Sequence, residues 1–483
     1  MERDQTARPD DALHPVRRLR RERSGRTGPP DGGRVSLQTA PSPTAFAGDD
    51  PPLKRRSRLR LASGLALVLA VSGAWSAAAL HGQPPAASPL PTDSTSVAPT
   101  TIPAQAPADA IGDLRMFTLT TGWAQRLSDG AVLHTTQGVL RWTVASPSTP
   151  ETVIAVSYVG AETARALTVP AGAEGQTTVQ SWTTGDGGAT WSAQGGFAVL
   201  GFSPTLIGTL DFVDPLHGWF SELQDDPGVT GTALYRTVDG GARWSKVAVV
   251  GTAGPRAAGQ ITPAPTGCVQ LTAAFISSTT GWLTGTCSMG PPPLYVTHDG
   301  GLTWAEQPLT PIPGNLYGET SSPPSFTSAQ DGTLVTEDVG ATPLSAGLFA
   351  TTNGGQTWAL RYATAATPFG SDFVDAEHGW LAACSAGDAS TPDLYFTGDG
   401  GAGWSMLYAF PFIGCVGVNL DFLSAGIGWA STNDEGPSSE SVSYLLETDD
   451  GGHSWTGLRP QLSLPSPPLS PRTGAVRHER SNP

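Results

Sequence analysis

The sequence predicts an all-β protein, a seven-bladed β-propeller with four-stranded antiparallel blades, preceded by one transmembrane helix. Three observations support this prediction. A motif of the form Thr-x-Asp-Gly-Gly-x-x-Trp recurs through residues 111–460, and its tryptophans are 46 to 60 residues apart, long enough for one four-stranded unit. A second motif, a large apolar residue followed seven positions later by Trp after Gly, precedes the first. An apolar run of 20 residues, 61–80, follows a basic segment.

The first motif predicts a tight hairpin turn. An Asp or Asn side chain can accept hydrogen bonds from backbone N–H groups two or three residues on, and paired glycines supply the positive φ that such a turn needs. The Trp five residues later can fold its indole back over the turn. A degraded copy, with Gln137 and Trp142, brings the number of repeats to seven. We predict that the structural turn residues are Asp186, Asp239, Asp299, Asn353, Asp399 and Asp450.

The second motif adds an independent count of the same repeats. In two repeats it has decayed, from Tyr158 to Arg165 and from Phe326 to Thr333. Twelve of the 14 tryptophans lie in one motif or the other, which indicates that Trp serves mainly to pack the blades. Four aromatic residues recur four positions before the turn acid and are predicted to pack in the core: Tyr235, Tyr295, Phe349 and Tyr395. The intact pairs are Met116 and Trp123, Phe212 and Trp219, Phe275 and Trp282, Phe373 and Trp380, and Phe422 and Trp429.

The turn motif resembles the Asp-box, or bacterial neuraminidase repeat, one of the propeller repeats in the broad WD40/YVTN-like class. The complete repeat, as in residues 210–244, is similar to the photosystem II stability and assembly factor family. The resemblance covers residues 111–460. It implies a turn between the third and fourth strands of a blade, and a non-enzymatic protein that recognises a membrane protein. Asp-boxes also occur in sialidases, other glycosidases and sortilin-type receptors, so the resemblance does not identify the partner.

Composition divides the rest of the chain. Residues 1–53 lack apolar periodicity and are predicted to be a disordered basic cytoplasmic tail. Residues 54–80 form a basic flank and a transmembrane signal anchor, and residues 81–110 a tether rich in Pro, Ala, Ser and Thr. The propeller occupies residues 111–460, and residues 461–483, with several prolines, are expected to be a disordered tail. The first and last repeats begin and end in the same phase, so the sequence shows no obvious exchanged strand. Packing between sheet faces and the segment after Leu458 are both left open as means of closing the ring.

Charge predicts the compartment. Residues 1–60 carry 14 Lys and Arg against 8 Asp and Glu, and the remainder carries 13 against 34. The basic flank favours a cytoplasmic N-terminus, which places the propeller outside the cytoplasm at the cell membrane. The alternative is cleavage after the Ser-Ala-Ala-Ala end of the apolar run, which would secrete the propeller. The acidic body argues against a nucleic-acid partner.

Four cysteines lie in the propeller: Cys268, Cys287, Cys384 and Cys415. An even number in an exported chain favours two disulfides over free thiols or a metal site. Of the three connectivities, we favour Cys268 with Cys287 across one strand pair, and Cys384 with Cys415 between the last two repeats.

We predict no catalytic residue, no cofactor-binding residue and no metal ligand. His217 and His378 recur before Gly-Trp, and His298 and His453 flank turn motifs, so their positions are structural. Asp211, Asp372 and Asp421 precede the repeat Phe and are interpreted as hydrogen-bonding groups at strand edges. A glycosidase needs two facing carboxylates, and the unrepeated candidates are Asp225, Asp226, Glu319, Glu337, Asp338, Asp434 and Glu435.

The sequence therefore favours a membrane-anchored extracytoplasmic binding scaffold without a cofactor, whose propeller loops bind a protein or glycan ligand. Enzymatic activity is the less favoured hypothesis. The alternative function is that of an exported glycoside hydrolase or sialidase-like enzyme acting on extracellular glycans.

Overall fold

The computed structural model describes residues 90, 110–202, 208–226, 229–251, 260–262, 268–287, 293–312, 319–338, 345–384, 392–410, 417–435 and 441–463. Within these residues the chain forms β-strands and no helix, in agreement with the predicted all-β class. A helix able to span a bilayer is accordingly not found among them. The predicted span, residues 61–80, and the predicted cytoplasmic tail lie outside the described residues.

The strands follow the sequence repeats. The first two repeats form β1 (Ile111–Met116), β2 (Gly122–Arg126), β3 (Val132–Thr135), β4 (Arg141–Val144), β5 (Thr152–Tyr158), β6 (Ala164–Val169), β7 (Gly175–Thr184) and β8 (Ser192–Phe202). The third and fourth repeats, with one preceding strand, form β9 (Thr209–Phe212), β10 (Gly218–Asp226), β11 (Val229–Thr237), β12 (Ser245–Gly251), β13 (Gln260–Thr262), β14 (Cys268–Phe275), β15 (Gly281–Cys287), β16 (Leu294–Thr297) and β17 (Thr303–Glu306).

The remaining repeats continue this order. The fifth repeat, with one preceding strand, forms β18 (Glu319–Ser321), β19 (Ser325–Phe326), β20 (Gly332–Asp338), β21 (Ser345–Thr351) and β22 (Ala359–Thr364). The last two repeats and the segment after them form β23 (Thr367–Phe373), β24 (Gly379–Cys384), β25 (Asp393–Thr397), β26 (Ser405–Ala409), β27 (Val418–Phe422), β28 (Gly428–Glu435), β29 (Ser441–Thr448), β30 (Thr456–Gly457) and β31 (Gln461–Ser463).

Most sheets contain four antiparallel strands in chain order. The sheets β5–β8, β9–β12, β23–β26 and β27–β30 are of this kind, and β1–β4 have the same order with β31 added at the edge. Strands β13–β22 form one ten-stranded sheet that contains the fourth and fifth repeats. The two repeats are joined through β18, in which Thr320 pairs with Thr286 of β15 and with Glu337 of β20. Four-stranded antiparallel sheets of this order are consistent with the predicted β-propeller.

Strand register explains why Gly precedes Trp in the second motif. In the third repeat, Gly218 of β10 lies opposite Phe212 of β9. A Cβ atom at Gly218 would lie 2.6 Å from the Phe212 ring, closer than carbon atoms can approach. The glycine therefore leaves room for the phenylalanine ring, and Trp219 follows on the opposite face of the strand.

The core lies between neighbouring sheets. One cluster combines Trp219 and Leu234 of the third repeat with Phe275 and Leu283 of the fourth, and the other clusters likewise cross from sheet to sheet. The four recurring aromatics are buried, as predicted: Tyr235, Tyr295, Phe349 and Tyr395 are exposed by 3, 6, 0 and 0%. Burial between sheets means that each repeat depends on the next for its core.

The last sheet contacts the first. Strand β1 contacts β27 and β28, and the Met116 N–H donates to Asp421 Oδ2 at 2.6 Å. Strand β31 runs parallel to β4, with Leu462 opposite Trp142. One expectation was therefore wrong for these residues, since residues 461–463 are not disordered. Of the modes of closure that the sequence left open, the structure shows the segment after Leu458 adding a strand to the first sheet. The physical reason is that the edge of β4 carries unpaired backbone groups that an extended segment can pair.

One residue of the predicted tether packs on the propeller. Leu90 is 5% exposed and belongs to a core cluster with Val335, Leu348 and Phe373. An apolar side chain in a segment rich in Pro, Ala, Ser and Thr gains by leaving water. The neighbours of Leu90 lie outside the described residues, so the tether remains a prediction elsewhere.

The structure describes the side chains of two of the four cysteines, Cys268 and Cys384. Cys268 lies opposite Cys287 in the β14–β15 register, and both Cys268 and Cys384 are disulfide-bonded. The described residues include no free cysteine. Cys415 lies outside them, and the pairing of Cys384 with Cys415 stays a prediction.

Strand β31 provides a test of closure. A chain that ends at Pro460 loses the β31 pairing, including the Gln461 N–H bond to the Leu140 carbonyl, and we expect its free energy of unfolding to fall by about 1–3 kcal/mol. A chain that ends at Ser463 keeps β31 and serves as the matched control. Thermal unfolding of both measures the difference, and equal melting temperatures would show that β31 contributes nothing to closure.

Candidate functional site

The turn motif forms the hairpin between the third and fourth strands of a sheet, as residues 237–244 show. The Thr237 hydroxyl donates to Asp239 Oδ1 at 3.0 Å, and the Arg243 N–H donates to the same oxygen at 2.8 Å. The Gly241 N–H donates to Thr237 Oγ1 at 2.9 Å. Gly240 and Gly241 have φ angles of 73° and 95°, which residues with a side chain rarely adopt. The turn thus satisfies most of its own polar groups.

The same geometry recurs in the other copies. The predicted donor three residues on is present at Asp299 and Asp399, where the Leu302 and Ala402 N–H groups donate to Oδ1. A backbone N–H four residues after the acid or amide also donates to its Oδ1. The two glycines in between have positive φ and curl the chain, which brings the fourth N–H within reach. This bond is present at Asp186, Asp299, Asn353, Asp399 and Asp450.

These hydrogen bonds favour the charged form of the turn carboxylates. The N–H of Arg243 lowers the pKa of Asp239, and the hydroxyl of Thr190 lowers the pKa of Asp186. A carboxyl whose folded-state pKa is lowered stabilises the fold above its unfolded-state pKa, and this contribution is lost as the pH falls through the folded-state pKa. The turns therefore stabilise the fold at neutral pH and weaken in acid.

Repeated aspartates connect neighbouring sheets, as predicted for hydrogen-bonding groups at strand edges. Asp211 Oδ2 accepts the N–H of Phe275 at 2.9 Å, and Asp372 Oδ2 accepts the N–H of Phe422 at 2.6 Å. Asp421 makes the equivalent bond between the last sheet and the first. All three are buried. Their role in the structure is to satisfy backbone donors at the sheet interface.

The Gly-Trp indoles also lie between sheets. Trp219 stacks on Phe275 of the next repeat with ring centroids 3.5 Å apart, and Trp380 stacks on Phe422 at 3.6 Å. Their Nε1 groups donate to the Gly300 and Gly451 carbonyls of the next turn motif, at 2.9 and 2.8 Å. All five Gly-Trp indoles are at most 1% exposed. They pack the interfaces between sheets.

At the two decayed positions the structure differs. Arg165 takes the place of the indole and lies over Phe212 at 5.4 Å, with Nη2 donating to the Pro215 carbonyl. At Thr333 the second strand supplies no side chain of comparable size. A cavity of about 170 Å³ lies there, lined among others by Thr333, Phe373 and Gly400, and we call it the Thr333 cavity. Both decayed motifs are visible in the sequence. Whether the space of the missing indole is filled or left open becomes evident only from the strand register and the side-chain contacts.

The recurring histidines form local pairs in the turns between first and second strands. His217 Nδ1 lies 2.8 Å from Asp214 Oδ2, and His378 Nδ1 lies 3.0 Å from Asp375 Oδ2. Each Asp also accepts backbone N–H groups of its own turn. In the described part of the chain, no group of three or more His, Cys, Asp or Glu could hold a metal ion.

Among the unrepeated carboxylates, Glu337 has a described side chain. It lies on β20, opposite Ala346 of β21 and Thr320 of β18. The residue as a whole is half-buried, and burial of its carboxyl group raises its pKa to about 7. A carboxyl that holds its proton near neutral pH is suited to donate it. The side chains of Asp225, Asp226, Glu319, Asp338, Asp434 and Glu435 lie outside the described part.

Exposed apolar side chains collect on the turns. We use the name turn face for the turns that join first to second and third to fourth strands. These turns are hydrogen-bonded to each other, as where the Gly240 N–H donates to the Leu216 carbonyl. Arg236 Nη1 also donates to the Asp299 carbonyl of the next sheet, so neighbouring turns lie side by side. Large apolar residues on this face, each 48–54% exposed, are Leu119, Leu140, Leu216, Val238 and Leu302.

Comparison with known proteins finds no matching family model and no matching curated protein. Solved structures similar to this chain include YCF48, a photosystem II assembly factor, bound to a D1 peptide, with 17% identity, 64% of this chain and 83% of that chain covered, and a TM-score of 0.39. YCF48 from Cyanidioschyzon merolae has 15% identity, coverages of 65% and 87%, and a TM-score of 0.40. The α-L-arabinofuranosidase Arb93A from Fusarium graminearum has 11% identity, coverages of 62% and 93%, and a TM-score of 0.36.

Asp239 provides a test of the turn. Asp239→Asn keeps the acceptor oxygen, as Asn353 does in its own turn, whereas Asp239→Ala removes it. At pH 7 we expect the free energy of unfolding of the Asn variant to lie within about 0.5 kcal/mol of the wild-type value, and that of the Ala variant to be about 1–2 kcal/mol lower. Urea unfolding measures both differences. Below pH 4 the Asn variant should lose less stability than the wild type. Equal losses for the two variants at pH 7 would contradict a role for the acceptor oxygen.

Glu337 provides a test of pH dependence. Its pKa is raised in the folded state, so its contribution to stability is complete below the ordinary value of 4.5 and is lost as the pH rises through about 7. We expect the urea midpoint of the wild type to fall between pH 5 and pH 8 more than that of Glu337→Gln. The matched control is Glu174→Gln, at an exposed position. Parallel pH profiles for all three proteins would contradict the assignment.

Proposed function

We propose that this chain is a membrane-anchored extracytoplasmic binding scaffold, a seven-bladed propeller that binds a protein or glycan partner through its turn face and loops. The acidic body disfavours nucleic acid as the partner. The proposal includes neither a cofactor nor a catalytic step.

One observation carries the proposal. The repeated residues that could serve as ligand-binding groups have structural partners, since the turn aspartates accept hydrogen bonds within their own turns and the Gly-Trp indoles are buried between sheets. The exposed large apolar residues, by contrast, collect on the turn face. Apolar groups on loops held by a rigid scaffold are typical of recognition surfaces. The proposed binding surface therefore consists of residues that are not part of the repeated motifs' own hydrogen bonds and packing.

The blade count rests on the contents of the sheets. The ten-stranded sheet holds two complete repeats, β14–β17 and β19–β22, joined by the short strand β18. Counting these as two blades gives one blade for each turn motif. Contacts between the first and last sheets, together with β31, support a closed arrangement of seven blades. Closure holds neighbouring turns at fixed distances, which a multi-point recognition surface needs.

The proposed location rests on the sequence. Residues 61–80 are uncharged and long enough to span a bilayer of about 30 Å, and the Lys and Arg residues before them favour a cytoplasmic N-terminus. The register of Cys268 with Cys287 fits a disulfide in an oxidising compartment. The scaffold would then present its turn face or its loops to partners outside the cytoplasm.

A second candidate function has one observation in its favour. The raised pKa of Glu337 is a property of general acids in glycoside hydrolases. An exported glycoside hydrolase also needs a second carboxylate about 5–10 Å away. Hydrolysis of a panel of aryl glycosides that is abolished in Glu337→Gln would favour this function over the scaffold.

Partner capture tests the scaffold. The full chain is expressed in its native host, crosslinked in the membrane before solubilisation, and purified. We expect a specific partner to co-purify with it and to be identified by mass spectrometry. We expect the double variant Leu216→Asp and Val238→Asp to reduce recovery at least tenfold, because a charge on each turn removes apolar contact area from the turn face. The variant Leu200→Asp, at an exposed position on the outer strand β8, should recover as much as the wild type.

The possible outcomes separate the parts of the proposal. Capture that is unchanged in the double variant would exclude the third-repeat turns as the binding surface. Recovery of no specific partner by the crosslinked wild type would contradict the scaffold function itself. Thermal unfolding of each variant distinguishes lost binding from lost folding.

A further inference from the structure

The interfaces between neighbouring sheets place the second-strand residue of one repeat against the first-strand aromatic of the next. In two of them an indole from the second strand of one repeat stacks on the phenylalanine of the next and donates its N–H to a carbonyl of the next turn motif. The pairs Trp219 with Phe275 and Trp380 with Phe422 have interplanar angles of 6° and 3°. This defines a position between two sheets that has the size, the stacking partner and the acceptor for an indole ring.

Thr333 occupies this position in the fifth repeat. Gly332 pairs with Phe326 and Thr333 with Ser325, just as Gly379 pairs with Phe373 and Trp380 with Asp372 in the sixth. The register is therefore the same, and only the side chain is smaller. Thr333 is half-buried, whereas Trp380 is 0% exposed.

The neighbouring strand does not fill the space either. Ala350 of β21 lies opposite Thr333. In the sixth repeat the corresponding residue opposite Trp380 is Phe396, whose ring contacts the indole at 5.5 Å. In the second repeat, where the indole is also missing, Arg165 supplies a planar group over Phe212. Among the described repeats, the fifth alone has two small residues facing each other at this position.

The Thr333 cavity has the dimensions of a ring. Its volume is about 170 Å³, and an engineered protein cavity of about 150 Å³ is known to bind benzene. Phe373, the counterpart of Phe275 and Phe422, lines it, and within the described part of the chain its ring contact is an edge contact with Trp404. The rim includes the exposed residues Thr352 and Asp375, so the cavity opens to solvent.

The acceptor of the indole N–H is also in place. The Gly400 carbonyl corresponds to those of Gly300 and Gly451, which accept indole N–H groups in their interfaces. In the Thr333 cavity it has a long contact of 3.4 Å from Arg361 Nε, while Arg361 Nη2 makes a shorter bond of 3.0 Å to the Asp399 carbonyl. A carbonyl oxygen can accept two hydrogen bonds, and a guanidinium beside a bound ring adds a cation–π contribution.

We propose that the Thr333 cavity binds the indole side chain of a tryptophan contributed by a protein partner. The ring stacks on Phe373, donates its N–H to the Gly400 carbonyl and lies beside Arg361. The inference rests on the proposed function in one respect, that the partner is a protein. The stacking partner and the acceptor correspond to those that hold Trp219 and Trp380, and they select an aromatic ring that carries an N–H donor.

The test is a titration of the full chain in detergent with indole and with N-acetyl-tryptophanamide, followed by saturation-transfer NMR. We expect both compounds to bind the wild type, and 1-methylindole, which lacks the N–H, to bind at least fivefold more weakly. Thr333→Trp fills the position with the chain's own indole and should weaken indole binding at least tenfold. The same change at an exposed strand position, Thr178→Trp, is the matched control and should bind as the wild type does.

A second variant covers the case in which Thr333→Trp does not fold. Ala350→Phe reproduces the residue that faces Trp380 in the sixth repeat and narrows the cavity from the opposite strand, so it should also weaken indole binding. The variant Trp75→Ala tests whether the chain's own tryptophan occupies the cavity. If indole binds Trp75→Ala but not the wild type, the cavity is occupied by Trp75 of the same chain. That result would contradict the proposal that a partner supplies the tryptophan.

Other outcomes also overturn the proposal. If the wild type binds no indole while Thr333→Trp raises the melting temperature, the cavity is a packing defect. If free indole binds but N-acetyl-tryptophanamide does not, the cavity is a site for a small molecule. If indole still binds Thr333→Trp, the binding site lies elsewhere in the protein. A failed partner capture leaves this titration unchanged, so failure of the scaffold proposal and failure of the cavity proposal can be told apart.

Discussion

The contact between the second-strand indole of one repeat and the first strand of the next is the interaction that joins most neighbouring sheets, and at three interfaces its partner is a phenylalanine. An indole buries about 150–250 Å², which at about 25 cal/mol per Å² is worth roughly 4–6 kcal/mol before entropy is subtracted. The indole also explains why glycine is required at a position that faces it. A Cβ atom at Gly355 would lie 2.1 Å from the Trp282 ring. The second glycine of that turn motif therefore leaves room for the indole of the preceding repeat, in addition to its role in the turn.

Polar groups at the interfaces follow the same repeat. Asp211 and Asp372 accept backbone N–H groups of the next sheet, and Asp421 does so between the last sheet and the first. The closing interface thus has the same chemistry as the internal ones. Because these carboxylates are buried and hydrogen-bonded, they hold the register of neighbouring sheets. Function is then left to the turns and loops, whose residues differ from repeat to repeat.

The sequence predicted what the repeats share and missed what occurs once. The turns, the buried indoles and the strand-edge aspartates follow from residue types that recur at fixed spacing. Strand β18, strand β31 and the packing of Leu90 rest on short segments without periodicity, and their pairing depends on edges that only the assembled sheets create. The sequence also showed that Thr333 replaces a tryptophan, but the resulting cavity became evident only from the register with Phe373. The raised pKa of Glu337 depends on burial, which no local pattern encodes.

Strand β31 has a consequence for the order in which the molecule is built. Ser463 Oγ donates to the Trp142 carbonyl across 321 positions of the chain. During synthesis from the N-terminus, β4 is complete long before residue 463 leaves the ribosome, and its outer border stays without a neighbour throughout that interval. Contacts between such distant segments close slowly, since a long loop must be brought together first. The nascent protein therefore carries an unpaired strand edge for most of its elongation, and such an edge can pair with a strand of another chain.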